Sequence, residues 1–102
     1  MADIRYIDNV NENMAEIYAF GTSLLPYKWS SRRVKKLAEL ACDIAKETEG
    51  FLGVHPVIPR GSLFLFRTEN NAKIARNRFE AAGIRCGIIG PCYIDKAFAK
   101  ET

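Results

Sequence analysis

The most regular pattern in the chain lies between Ser30 and Thr48, where Val34, Leu37, Ala38, Ala41, Ile44, Ala45 and Thr48 recur at three- and four-residue steps. Side chains at those steps share one side of a helix, so the spacing predicts an amphipathic helix with a single apolar stripe. Both ends are marked. Ser30 or Ser31 can accept from the free backbone N–H groups at the start, and Gly50 can adopt the left-handed conformation that commonly closes a helix.

Beyond Gly50 the period shortens. Val54 to Ile58 and Ser62 to Arg67 read as two strands of a hairpin around Pro59, Arg60 and Gly61. Proline cannot donate to a ladder, so Pro56 assigns the first strand to a sheet edge, whereas Leu63 to Phe66 is free to be central. Thr68 then offers an N-cap, Glu69 puts a negative charge at the positive end of a helix dipole, and Ala72, Ala75, Phe79 and Ala82 share one side. Small side chains let this second helix lie close to a sheet, with Phe79 as its anchor and Gly83 as its stop. Ile84 to Ile89 reads as a further strand. Gly90 and Pro91 interrupt it before a short continuation at Cys92, Tyr93 and Ile94, and mark a bulge or turn at another sheet edge.

The first thirty residues admit two readings. Asn9 with Glu12 resembles a capping box, and Val10, Met14, Ile17 and Tyr18 suit a helix. Ile17 to Phe20 is also apolar on both sides, as a buried central strand is. The strand is preferred because it completes the order β–α–β–β–α–β with both proline-bearing strands at the edges. That order is the ferredoxin-like, split βαβ pattern, an α+β two-layer sandwich with two helices on one face of an antiparallel sheet. Residues 1–14 then form an N-terminal arm or an extra strand around Ile4 to Ile7, and residues 96–102 a frayed polar tail.

Composition adds bounds. With 102 residues, 48% apolar and 26% charged, the chain has the length and make-up of one globular domain. No apolar run reaches the roughly 18–20 residues that span a bilayer, and the first residues lack the basic-then-apolar pattern of a signal peptide. Cys42, Cys86 and Cys92 are odd in number and show no paired framework, so reduced thiols and a cytoplasmic location are expected. A net charge of +3 falls short of a dedicated nucleic-acid binder and is opposite to that of a polyanion mimic.

How the charge is arranged changes the picture more than its sum. Arg32, Arg33, Lys35 and Lys36 crowd the start of the first helix, while Glu39, Asp43, Glu47 and Glu49 follow. This reverses what a helix dipole favours, since its N-terminus already carries about half a positive charge. An anion seated there would offset the repulsion, so Ser30, Ser31, Arg32, Arg33, Lys35 and Lys36 form a candidate phosphate or carboxylate site, with Thr22 and Ser23 nearby in sequence. The simpler reading is a solvated basic turn, at about 0.3–1 kcal/mol per misplaced charge.

Leu63, Phe64, Leu65 and Phe66 raise a second question, because alternate residues of a strand point to opposite faces and here both are apolar. One face meets the helices. A partner subunit or stacked nucleic-acid bases would cover the other. Arg60, Gly61, Ser62, Leu63, Phe64, Leu65 and Phe66 resemble the third-strand motif of RNA-recognition domains, which pairs a basic residue and glycine with stacking aromatics. The chain departs from that motif at Ser62 and Arg67, where it wants aromatics, and at Leu63, where it wants a small residue. The resemblance implies base stacking on Phe64 and Phe66, and an interface role is the other functional reading. Core packing is the default for both.

Constellations for chemistry are sparse. His55 is the sole histidine, so any histidine-based proton transfer runs through it, and its pairing with Cys42, Cys86 or Cys92 depends on proximity in space. No metal site or cofactor is expected from one histidine and scattered cysteines. Gly87 to Pro91 lacks the lysine and following helix of a phosphate loop. Arg60, Arg67, Lys73, Arg76, Arg78 and Arg85 make the second half basic, but Arg76 with Glu80 is an ordinary i,i+4 pair. The expectation is a non-enzymatic binding module that self-associates through its sheet as a homo-oligomer and carries an anion site on the first helix. A nucleotide- or nucleic-acid-binding protein is the alternative, and an enzyme using Cys and His the third reading. A membrane partner is not expected.

Overall fold

Ile17 to Phe20 is strand rather than helix, within β1 (Met14–Thr22). The computed structural model describes residues 13–24, 32–57 and 61–96. After β1 come α1 (Arg32–Glu47), β2 (Phe51–Val57), β3 (Gly61–Phe66), α2 (Glu69–Ala81) and β4 (Gly90–Asp95). Together they form a small α+β structure with a four-stranded antiparallel sheet, ordered β2-β3-β1-β4, and two helices. The central strands β1 and β3 pair Tyr18 with Phe66, Phe20 with Phe64 and Thr22 with Ser62. Pro56 lies in β2 and Pro91 in β4, the two edges, where a missing N–H leaves no ladder bond unmade.

Local chemistry sets the bounds of α2. Thr68 is its N-cap, extended at φ −128° and ψ 160°, and its hydroxyl accepts from the Asn71 N–H at 3.1 Å while donating to Asn71 Oδ1 at 2.7 Å. Gly83 has a φ of 84°, and the two bonds of a Schellman closure follow: the Gly83 N–H donates to the Glu80 carbonyl at 3.0 Å and the Ile84 N–H to the Phe79 carbonyl at 2.9 Å. The apolar contact that accompanies this closure is present, since Ile84 and Phe79 are buried in the same cluster. Gly50, at φ 82°, ends the turn after α1 so close to Asn71 that a Cβ would collide with it.

Residues 84–89 form no strand, contrary to the sequence reading, and Gly90 and Pro91 begin β4 instead of interrupting a strand. Two things occupy this segment. Ile84 is drawn into the helix closure, and Arg76 donates from Nε to the Gly87 carbonyl at 2.8 Å and from Nη2 to the Cys86 carbonyl at 3.4 Å, replacing ladder partners. A single backbone bond, from the Gly87 N–H to the Gly21 carbonyl at 2.8 Å, ties it to β1. At the other end Pro91 sits opposite Tyr18 on an edge, where a strand tolerates it. Met14, expected to close an N-terminal arm or extra strand, is the first residue of β1. Residues 1–12 and 97–102, with the capping box at Asn9 and the strand at Ile4 to Ile7, lie outside the described residues, as does the turn at 58–60.

Two apolar clusters flank the sheet. On the helix side Phe20, Phe64 and Phe66 meet Phe79 and the alanines of both helices, including Ala41, Ala45, Ala72 and Ala75 at 0% exposure. Phe79 stands edge-on to Phe20 and Phe64, with centroids at 5.2 and 4.9 Å and interplanar angles of 86° and 84°. The opposite side gathers Ile17, Ala19, Leu52, Leu65, Cys92 and Ile94, all buried within the single chain.

Candidate functional site

Register fixes where the ends of α1 lie. Its last turn leads through Gly50 into Phe51, which pairs with Phe66, itself opposite Tyr18. A helix of 16 residues extends about 24 Å. The acidic end of α1 therefore lies at the Tyr18 end of the sheet and its basic start at the far end, toward Thr22, Ser62 and Gly61.

Arg32, Arg33, Lys35 and Lys36 are all exposed, and the first turn of α1 holds no acidic residue. Their apolar neighbours explain this: Ala38, Ala41 and Ala45 face α2 and the sheet, which turns the cations outward. Arg32, Arg33 and Lys36 line a shallow groove with the half-buried Leu37. Among the described residues none of the four cations has a carboxylate partner. Ser30 and Ser31 lie outside the described residues. Thr22 is committed elsewhere, since it is buried and accepts from the Leu24 N–H at 3.2 Å, while Ser62 donates to the Leu24 carbonyl at 2.5 Å.

Phe64 and Phe66 are placed differently from what base stacking requires. Both are 0% exposed and face the helices, so a base could reach them only by displacing α2, and their role is packing. The residues of β3 on the opposite face are Leu63 and Leu65. The likeness to the RNA-recognition motif thus stops at residue type, because the aromatics point to the covered face. Self-association through that opposite face also lacks exposed apolar surface at its centre, where Ile17, Leu65 and Ile94 are at 1%, 2% and 0% exposure.

His55 and the thiols are not brought together. Val54 packs on the helix side, so His55 faces the opposite side, on β2. Cys92 shares that side but lies on β4, across two intervening strands and four residues further along the register, about 20 Å away and far beyond hydrogen-bond reach. Cys42 and Cys86 pack on the helix side. Burial raises all three thiols above their ordinary range, Cys86 to about 11, which opposes thiolate formation. Among the described residues no group of three or more His, Cys, Asp or Glu gathers as a metal site would require, and no helix is long and apolar enough to cross a membrane.

A cluster not anticipated from sequence lies on β1 and β4. The hydroxyls of Tyr18 and Tyr93 both donate to Glu16, to Oε1 at 3.2 Å and Oε2 at 3.0 Å. Their phenols titrate above the ordinary value, chiefly because those bonds hold the proton and then because of the Glu16 charge. Glu16 followed two residues later by Tyr18 was visible as a same-face pair, but only the β1–β4 register brings in Tyr93. A recess of about 420 Å³ lies nearby, lined by Glu49, Gly50, Phe51, Arg67, Thr68 and Asn71.

No family model, curated protein or solved structure matches the chain.

Proposed function

We propose that the protein is a non-enzymatic binding module of ferredoxin-like architecture whose site is the basic start of α1 and whose partner is anionic. The architectural reading is supported by the element order β–α–β–β–α–β, the strand order β2-β3-β1-β4 and the grouping of both helices against one sheet face. The functional reading is carried by one observation: four exposed cations at the positive end of a helix dipole, with no acidic residue in that turn. A phosphate or carboxylate there would meet backbone N–H groups and guanidinium forks together.

A labelled single-stranded oligonucleotide, followed by fluorescence anisotropy across a salt series, tests the reading with a generic polyanion. Binding should weaken as salt rises, with a logarithmic slope of about 0.7 per phosphate contacted. The Arg32→Glu, Arg33→Glu double variant should lose most of the affinity and the corresponding part of the slope. A double variant that binds like the parent, or a parent that binds no polyanion even at low salt, overturns the assignment.

A further inference from the structure

Ile94 is at 0% exposure on a sheet face that no described element covers. Both helices pack on the other side, against Phe20, Phe64 and Phe66, yet Ile17, Leu52, Leu65 and Cys92 are also exposed by 5% or less. Side chains of a sheet stand perpendicular to it, so neighbours within the sheet shield their flanks and not their tips. Burial this complete needs a layer on top, and it is reached within a single chain. That layer therefore comes from this chain, from residues 1–12, 25–31, 58–60 or 97–102, which lie outside the described residues.

Length and attachment choose among them. Residues 58–60 join β2 to β3 between Val57 and Gly61, and residues 25–31 leave from Leu24 on the helix side and return to α1 on that same side. Both lie at the end of the sheet remote from Ile94, which pairs with Ala15, seven residues along β1 from Thr22, or about 23 Å. Seven residues reach about 24 Å in one direction and cannot go and return. The two termini leave from the right end, where the Lys96 N–H donates to the Asn13 carbonyl at 2.9 Å. Residues 97–102 hold one large apolar side chain, Phe98, whereas residues 1–12 hold Ile4, Tyr6, Ile7 and Val10. Twelve residues extend up to about 40 Å, ample to cross the roughly 14 Å from β4 to β2. We infer that this face is a docking surface whose occupant is the chain's own N-terminal segment, with Ile4, Tyr6, Ile7 and Val10 seated over Ile17, Leu65 and Ile94. Self-association through the sheet is blocked until that segment leaves.

Cys92, at 3% exposure on this face, reports on the cover, and Cys42 and Cys86 on the helix side serve as references in the same molecule. In the full chain carrying Ile4→Ser and Ile7→Ser, alkylation of Cys92 under native conditions should rise about tenfold or more relative to both references, as peptide mass mapping reads. Phe98→Ser should leave that ratio near the parent's. Nuclear Overhauser contacts in the unaltered protein give a reading that needs no variant. Methyls of Ile4, Ile7 or Val10 should show contacts to those of Ile17, Leu65 or Ile94, and these should not pass between labelled and unlabelled copies in a mixed sample. Contacts from Phe98 or Trp29 in their place, contacts found only between copies, or an unchanged Cys92 ratio in the double variant overturn the inference.

Discussion

Replacing Phe79 with alanine should remove a large share of the protein's stability. The ring is fully buried, anchors α2 to the sheet, and stands edge-on to both Phe20 and Phe64. Truncating a buried phenylalanine costs about 3–5 kcal/mol, against a total of about 5–15 kcal/mol for a domain of this size. With a urea slope of about 1.5 kcal/mol per molar, the unfolding midpoint falls by about 2–3 M. Phe79→Leu separates two contributions, since it keeps most of the apolar burial and loses the edge-to-face geometry, at about 0.5–1.5 kcal/mol for each ring pair. Its midpoint should fall by about 1–2 M, between the parent and the alanine variant. Equilibrium urea unfolding followed by circular dichroism reads both. If Phe79→Ala shifts the midpoint no more than Phe79→Leu does, the ring is not clamped between Phe20 and Phe64, and the assignment of Phe64 and Phe66 to the core loses its support.

Three further outcomes are expected. Ala75→Leu forces a larger side chain into a position at 0% exposure between α2 and the sheet and should cost about 1–3 kcal/mol in the same urea assay. Arg76→Ala frees the carbonyls of Gly87 and Cys86, so amide hydrogen exchange should quicken in residues 84–90 while β1 and β3 keep their protection. Cys86, with its thiol pushed from 9.0 up to about 11, should be alkylated near pH 8 about a hundredfold more slowly than in the unfolded chain, as peptide mass mapping would show. The sign for stability follows: a thiol raised on folding favours the folded state below about pH 9, and that contribution is lost as pH climbs through about 11.

How much of this was legible in the sequence depends on which physical signal was local. Helical spacing located both helices, and Thr68 and Gly83 marked the ends of α2 because capping is settled within a few residues. The prolines at 56 and 91 pointed to the edges, since a missing N–H has the same consequence in any fold. Residues 84–89 misled for the opposite reason. Their apolar character serves a helix closure at Ile84 and leaves Ile88 at 90% exposure, and the partner that keeps them off the ladder, Arg76, is a side chain ten residues back. Alternation likewise showed that Phe64 and Phe66 share a face but carries no sign for which face the helices take. At the candidate site, the charge reversal on α1 could be read directly, whereas Glu16 with Tyr93 depends on pairing between residues 77 positions apart.

The most direct test of the anion site is a nuclear magnetic resonance titration of the isotope-labelled protein with inorganic pyrophosphate at low salt. Amide shifts should concentrate at the start of α1, around Arg32, Arg33, Lys35 and Lys36, and disappear in the Arg32→Glu, Arg33→Glu variant. Shifts centred on Arg67, Lys73 and Arg78 instead, or none above those of an added neutral salt, would contradict the account.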